Sequence, residues 1–590
     1  MTRYACMIFT ALILWTADIG AQTASETAAP LVPPGQQWCF IMKNVATEAG
    51  RDSTLALIKR AHQAGYNGVV LSDSKLDKFQ LQDAAYCANL ATVRQACRDG
   101  QMLFIPCVTP FGYSEGFLSN DPNLAEGMPV READFTVKDG KLVPCDDTAV
   151  LKNGGLEEWK GNVPVGWTVD APDKISFRDE TTAHEGKNCL RQEAVSVGDQ
   201  HGHGRIFQKL AVLPWHYYHA SVWVKTENCT SRDWRFFAFD ESKNMQLNWQ
   251  GPAEQIKPTQ DWKPYHITFC SIDNTNVVLY LGCWNGKKGK VWFDDARIEP
   301  AGFVNVIRRD SLPLRIASRD GKTVYVEGQD FAAVRDPLLG NDPGPGHFSN
   351  WHEPPVVAIP AGSRLKEGDK VLASYHFAST CGKFNNINMC MSEPKTYEIV
   401  EQQIRWVKEH AQPDAYMLSH DEIRMNGWDD ACAGTGKSNG RILADNLRHC
   451  ADIIKRVDPG KSIVVWNDMF DPYQNARAKE ADGRPHIMYM AKGGWAGSWE
   501  GLSPDICVAN CFQNELPSVR FFDGRGNRQI LMGYYDDAAN IDKNAAWLTD
   551  TANCTGVVGT AYTTWVQDYT QLETYAAKMK AAWARRSEAK

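Results

Sequence analysis

The chain has 590 residues, more than one usual domain, and 43% of them are hydrophobic, which is ample for sizeable cores. A net charge of -8 and the lack of any basic run exclude a nucleic-acid binder. Past the N-terminal run, no stretch reaches the roughly 20 apolar residues that a membrane-spanning helix needs.

The opening "MTRYACMIFTALILWTADIGAQTA" sets Arg3 ahead of an apolar run from Ala5 to Trp15, with small residues near Ala21. That order is the signature of a secretory signal peptide. The expectation is a signal over 1–21, a flexible linker over 22–36, and a secreted or periplasmic protein. The 17 cysteines form no dense disulfide framework, so buried thiols with a few bridges are expected.

From 37 to 109, short apolar runs alternate with helical patterns. "WCFIM" (38–42), "GVVLSD" (68–73) and "MLFIPCVT" (102–109) read as strands. "STLALIKRAHQAG" (53–65) reads as a helix with Leu57, Ala61 and Ala64 on one face and Gly65 as its stop. Apolar strands separated by helices indicate parallel pairing with both faces covered.

The texture then changes. Segments 110–147 and 301–390 read as a β-rich insert, on hairpins such as "ADFTVKDGKLVP" and "SRLKEGDKVLASYHF". Between them, residues 148–300 read as an antiparallel β-sandwich: "YYHASVWVKT", "RFFAFD", "YHITFCSI", "NVVLYLGCW". Its "NGGLEEW", "HEGKNCLRQE" and "GKVWFDDARIEP" resemble sandwich modules of carbohydrate-binding families 4 and 9. Trp234 and Trp249 are candidates for a sugar platform, with core packing as the competing use. The histidine pair in "QHGHGR" (200–205) lacks nearby cysteine or carboxylate ligands, and "GTGKSNG" (434–440) lacks the first glycine of a phosphate loop. No metal or cofactor is expected.

From 391 to 590 the alternation returns. "AYMLSHDE", "SIVVWND", "DICVANC", "QILMGYYD" and "GVVGTAYTTW" read as strands, and the residues of 396–410 and 440–460 as helices. "RPHIMYM" (484–490) is assigned to a loop. Three strands before the interruption and five after it predict an α/β fold: a (β/α)8 TIM barrel carrying an inserted β-sandwich and a small β-rich subdomain.

Such barrels place chemistry at the C-terminal ends of their strands. Strand four ends in His420, Asp421 and Glu422, and strand five in Trp466, Asn467 and Asp468. Strand seven ends in Tyr534, Tyr535 and Asp536, and strand eight in Trp565. Adjacent acids repel, so Asp421 and Glu422 point to use rather than to packing. Acids move protons, amides bind hydroxyls and flat rings stack on sugars. Helix capping is the competing role for Asp468 and Asp536.

These ends resemble glycoside hydrolase family 20, the β-N-acetylhexosaminidases: the Asp-Glu pair closes strand four, tryptophans mark strands five and eight, and a tyrosine-acid run ends strand seven. The chain has Met417-Leu418-Ser419-His420 where the family carries His-x-Gly-Gly, and Lys43 is the nearest cation to the family's arginine after strand one. The resemblance implies Glu422 as general acid. It implies Asp421 as the residue that orients a substrate 2-acetamido group, whose carbonyl oxygen attacks the anomeric carbon. Tyr534 or Tyr535 would bind the acetamido oxygen, with Trp466, Trp495 and Trp565 around its methyl group. The expected partner is an oligo- or polysaccharide. Two alternatives stand beside it: a two-carboxylate glycosidase with Asp468 or Asp536 as nucleophile or base, and a glycan binder without catalysis.

Overall fold

The computed structural model describes residues 31–588 apart from 171–173, 194–203, 230–233, 249–255, 284–287, 381–385, 480–482, 484–489 and 512–514. The proposed signal peptide, Trp249, the histidines of "QHGHGR" and most of "RPHIMYM" lie outside the described residues.

Eight parallel strands close into a barrel in chain order. They are β1 (Gln36–Met42), β2 (Gly68–Ser72), β3 (Leu103–Val108), β4 (Ala415–Leu418), β5 (Ser462–Trp466), β6 (Ile506–Asn510), β7 (Gln529–Tyr534) and β8 (Val557–Thr563). Closure runs through β1 and β8, with Gln36 opposite Gly559 and Cys39 opposite Tyr562. β3 and β4 pair directly, Cys107 with Met417, although almost the whole insert separates them in sequence.

The strands obey a period of two. Trp38, Phe40, Ala415, Met417, Val464 and Trp466 fill the barrel interior. Cys39, Ile41, Tyr416, Leu418, Ile463 and Val465 face the outer core, where they meet α1 (Glu48–Ala64), α2 (Ala84–Asp99), α3 (Pro394–Ala411) and α4 (Asn439–Val457). The helices form along the apolar stripes, with α1 starting five residues before the expected 53–65. Thr47 caps α1 by accepting from Gly50 N, and Gly65 ends it in the left-handed region at φ 92°. In α4 the stripe Leu443, Leu447, Cys450, Ile454 and Val457 is buried, and Ser438 caps its start.

Among the described residues the insert builds three large sheets and one short hairpin, Trp159–Lys160 with Val163–Pro164. Two five-stranded antiparallel sheets make the sandwich, one centred on Lys290–Pro300 and the other on Asn276–Cys283. A seven-stranded sheet draws strands from both flanks, with Gly127–Lys138 paired to Lys370–Ala378. One continuous apolar core serves the sandwich and this sheet. Tyr217 stacks on Phe377 at 3.6 Å between ring centroids. Trp234 packs edge-on against Tyr265 at 4.7 Å, at the margin of that core. No disulfide joins any two of the described cysteines, so the bridges expected from sequence are not found among them. No described helix is long and apolar enough to cross a membrane.

Candidate active site

Strand alternation continues past the end of β4 and sorts the residues there. Met417 faces inward, so His420 faces outward and Asp421 inward. His420 is fully buried, packs 4.9 Å from Phe111 and bonds Asn446 Oδ1 through Nε2 at 2.9 Å. Burial lowers its pKa to about 4. This corrects its expected role as a sugar ligand: it is a neutral pin between β4 and α4.

Asp421 and Glu422 turn over the barrel mouth. Glu422 adopts φ 47°, a left-handed conformation that costs a non-glycine residue about 1–3 kcal/mol. Its N–H donates to Asp468 Oδ2 at 2.9 Å, which ties the end of β4 to the end of β5. Gly112, in the loop after β3, lies so close that an added Cβ would sit 1.7 Å from the Asp421 carbonyl oxygen. Glycine is therefore the only residue that fits there.

Two residues missed by the sequence reading complete this corner. Tyr113 donates its hydroxyl hydrogen, and Arg424 a guanidinium N–H, to Glu422 Oε2. The Arg424 guanidinium also lies 4.7 Å from the centre of the Tyr113 ring. Asn388 Oδ1 accepts from the backbone N–H of Arg424 at 3.1 Å and of Met425 at 2.8 Å, fixing the loop beyond. Arg424 was visible in the motif, two places after Glu422. Tyr113 is brought in by the β3 loop, and no local pattern marks it.

At β5, Trp466 faces inward and Asn467 outward. Asn467 is buried, donating to Asp471 Oδ2 at 2.8 Å and accepting from Cys511 N at 2.8 Å, so it braces the loop instead of meeting a ligand. Asp468 faces inward. Its Oδ2 also accepts from Asn475 at 3.0 Å, while Oδ1 is buried without a partner among the described residues. The helix-cap alternative therefore does not describe its side chain.

The end of β7 breaks the alternation. At Gly533 a Cβ would meet Asn544 Oδ1 and Tyr575 Oη, each at 2.5 Å. Tyr534, Tyr535 and Asp536 then follow with φ of 75°, 50° and 61°. The turn sends Tyr534 outward, to stack on Tyr562 at 4.5 Å and donate to Asp568. It sends Tyr535 inward, against Trp565 at 6.0 Å. Tyr535 is thus the tyrosine that faces the mouth, and Tyr534 is not. Asp536 accepts from Thr564 Oγ1 and from Trp565 N, the latter at 2.8 Å, so it is a staple for the β8 loop.

That staple presents Trp565, 42% exposed, over the barrel. Phe40 at 5.5 Å and Trp466 at 5.8 Å support it from below. Lys43 donates to Gln567 Oε1 at 2.7 Å on the outer side of the same loop. Trp495 is wholly buried in the outer core, with its indole N–H unpaired among the described residues, which corrects its expected place in a methyl pocket.

The electrostatics follow from burial and like charge. Burial, reinforced by Glu422 and opposed by Arg424, pushes Asp421 up to about 6. Burial and the Asp421 charge push Asp468 well above the usual carboxylate range. Among the described residues, no other residue donates to the Asp421 carboxylate. An inward carboxylate with free lone pairs stands beside a second, solvent-facing acid and near a third whose proton affinity burial and like charge raise. Such a set can both accept and deliver protons at near-neutral pH.

No family model matches the chain, and no curated protein matches it. Among solved structures, a rhamnosidase from Novosphingobium sp. PP1Y is similar over 94% of this chain and 59% of its own length, at 12% identity and a TM-score of 0.34. A structure described under the words "CBM4 structure and function" is similar over 26% of this chain and 99% of its own, at 18% identity and a TM-score of 0.20. Dispersin B is similar over 33% of this chain and 59% of its own, at 10% identity and a TM-score of 0.20. Likenesses at these scores carry no argument about activity.

Proposed function

We propose that the chain is a glycoside hydrolase on a (β/α)8 barrel, acting on glycans at the cluster of Asp421, Glu422 and Asp468. The observation that carries this is the Asp421 carboxyl, pushed up to about 6, unpaired and inward, between Glu422 and Asp468. Trp565, backed by Trp466 and Phe40, supplies a flat apolar face beside it, as sugar C–H surfaces require. A glycan binder without catalysis has no use for adjacent acids held in a strained turn.

Within this class the β-N-acetylhexosaminidase-like, substrate-assisted retaining reaction is the preferred reading. Glu422 is 42% exposed and held through Oε2 by Tyr113 and Arg424, so its other oxygen is presented to a leaving group. Asp421, as carboxylate, takes the acetamido N–H and stabilises the cyclised cation. The nucleophile then comes from the sugar. This accords with the surroundings of Asp468, where burial and the Asp421 charge disfavour the ionised form that a nucleophile needs.

A second reading rests on Asp468 itself. Its unpaired Oδ1 leaves one oxygen for a two-carboxylate mechanism. Asp536 is spoken for by Thr564 and Trp565 and drops out. A panel of chromogenic glycosides with and without 2-acetamido groups separates the two. The preferred reading expects turnover confined to 2-acetamido sugars, with a thiazoline mimic binding far more tightly than substrate. Good turnover of 2-hydroxy sugars, with a fluorosugar trap labelling Asp468, establishes the second reading instead. No hydrolysis of any glycoside removes both.

A further inference from the structure

Away from the acids, four side chains with metal-binding atoms converge in the interior. They are Glu126, Cys390, Asp429 and Cys432, all buried, with their ligand atoms within 4.8 Å of one another. They come from three separate segments. Glu126 precedes the first strand of the insert, Cys390 lies where the chain returns from the insert to α3, and Asp429 and Cys432 close the loop that carries Asp421 and Glu422.

We propose that these four residues form a structural zinc site. The geometry is that of a tetrahedral ion. Two thiolates at the usual zinc–sulfur distance of about 2.3 Å stand about 3.8 Å apart around a tetrahedral centre. The two sulfurs here are 3.8 Å apart, well beyond bonding distance for a disulfide. A thiolate and a carboxylate oxygen on the same ion stand about 3.5 Å apart. Cys432 Sγ and Glu126 Oε2 are 3.4 Å apart.

The remaining contacts have the character of an outer shell. Glu126 Oε1 accepts from Trp428 N at 2.9 Å, leaving Oε2 toward the sulfurs. Asp429 Oδ1 accepts from Cys432 N at 2.8 Å. Arg309 donates to Asp429 Oδ2 and lies 3.3 Å from Glu393. The Arg309 guanidinium thus faces Asp429 and the half-buried Glu393, with Glu126 nearby. A divalent cation would hold the carboxylates of the cluster ionised in this interior. Binding is balanced without any redox partner: each thiol gives its proton to solvent as its sulfur binds the ion. The bound ion would pin the entry and the exit of the insert to the β4 loop. This does not depend on which sugar chemistry the barrel performs.

The test uses the full-length chain purified under reducing conditions. Zinc is measured by mass spectrometry after dialysis, before and after a chelator, for wild type, Glu126→Gln and the Cys390→Ser/Cys432→Ser double variant. Wild type is expected to hold about one zinc per chain. It should lose thermal stability on chelation and regain it with zinc alone. Glu126→Gln should hold zinc more weakly, and the double variant should hold none and show no zinc-dependent stability. Cobalt added to the stripped wild type should give the absorption of a tetrahedral thiolate site. Wild type that takes up neither zinc nor cobalt overturns the proposal. So does zinc retained equally by the double variant, or a Cys390–Cys432 disulfide in the protein purified without reductant. If the double variant fails to fold, the cobalt spectrum of wild type decides alone.

Discussion

The ends of β4 and β7 look alike in sequence and differ in use. Each follows an apolar strand with acids, and each is held in left-handed backbone. At β7 the side chains are taken up by the neighbouring β8 loop: Tyr534 is tied to Asp568, and Asp536 is tied to Thr564 and Trp565. At β4 the partners of Glu422 come from the loop after β3 and from Arg424, and Asp421 is left open. Acids whose lone pairs are filled by an adjacent loop are architecture. Acids held in place with lone pairs to spare are the ones to test for chemistry.

The largest effect expected from that contrast is at Glu422. Glu422→Gln should lower turnover by about 10²–10⁴-fold, the usual worth of a general acid. Its thermal stability should stay close to wild type, because the side chain is 42% exposed. The loss should shrink for substrates with very acidic leaving groups. A loss that is equal for good and poor leaving groups takes the acid role from Glu422.

Asp421→Asn comes next, and pH distinguishes it. In the preferred reading Asp421 works as a carboxylate, so wild-type kcat/KM should rise as pH passes upward through about 6. The Asn variant should be slow throughout and lack that limb. Stability carries the matching sign. The folded carboxyl binds its proton at about 6 against an ordinary value of 3.8. Ionising it therefore costs native stability as pH rises across that interval. Part of the wild-type fall in stability between those values should be absent in Asp421→Asn. Identical stability–pH curves would place the raised carboxyl elsewhere.

The same contrast shows what the sequence made legible. The eight barrel strands were readable because each is a short, continuously apolar run between helix signals. The Asp421–Glu422 doublet stood out by its charge alone. The outward turn of His420 was also available, since counting by twos from the apolar Ala415 and Met417 puts it on the helix side. The β7 end was not. A tyrosine at φ 75°, next to a Gly533 packed closely on Asn544 and Tyr575, is announced by no propensity. Tyr113 and Asn388 reach the site across the inserted segment, and such contacts have no local signature. The shared core of the sandwich and its flanking sheet escaped for the same reason.

At β7 the expected effects are smaller and of a different kind. Asp536→Ala removes two hydrogen bonds that hold the Trp565 loop. KM should rise about tenfold, equivalent to about 1.4 kcal/mol of lost binding, with kcat little changed. A fall in kcat matching that of Asp421→Asn would erase the distinction between the two strand ends and return Asp536 to the chemistry.

The smallest effect belongs to Tyr534→Phe. The hydroxyl donates to Asp568 on the outer side of the barrel, and the ring stacks on Tyr562 with its edge toward the outer core. Losing a hydrogen bond to a carboxylate should cost about 1.5–3 kcal/mol of stability at most, and less where water can replace the donor. The ring itself stays, so the left-handed turn that aims Tyr535 inward is kept. Activity should therefore remain within about twofold of wild type. Tyr535→Phe on the neighbouring residue should instead weaken substrate binding, since that ring faces inward against Trp565 and its buried hydroxyl lies near Asp468. If Tyr534→Phe proved the more damaging of the two, the turn at Gly533 would have to present its tyrosines the other way round when substrate is bound, and the acetamido-binding role would pass back to Tyr534.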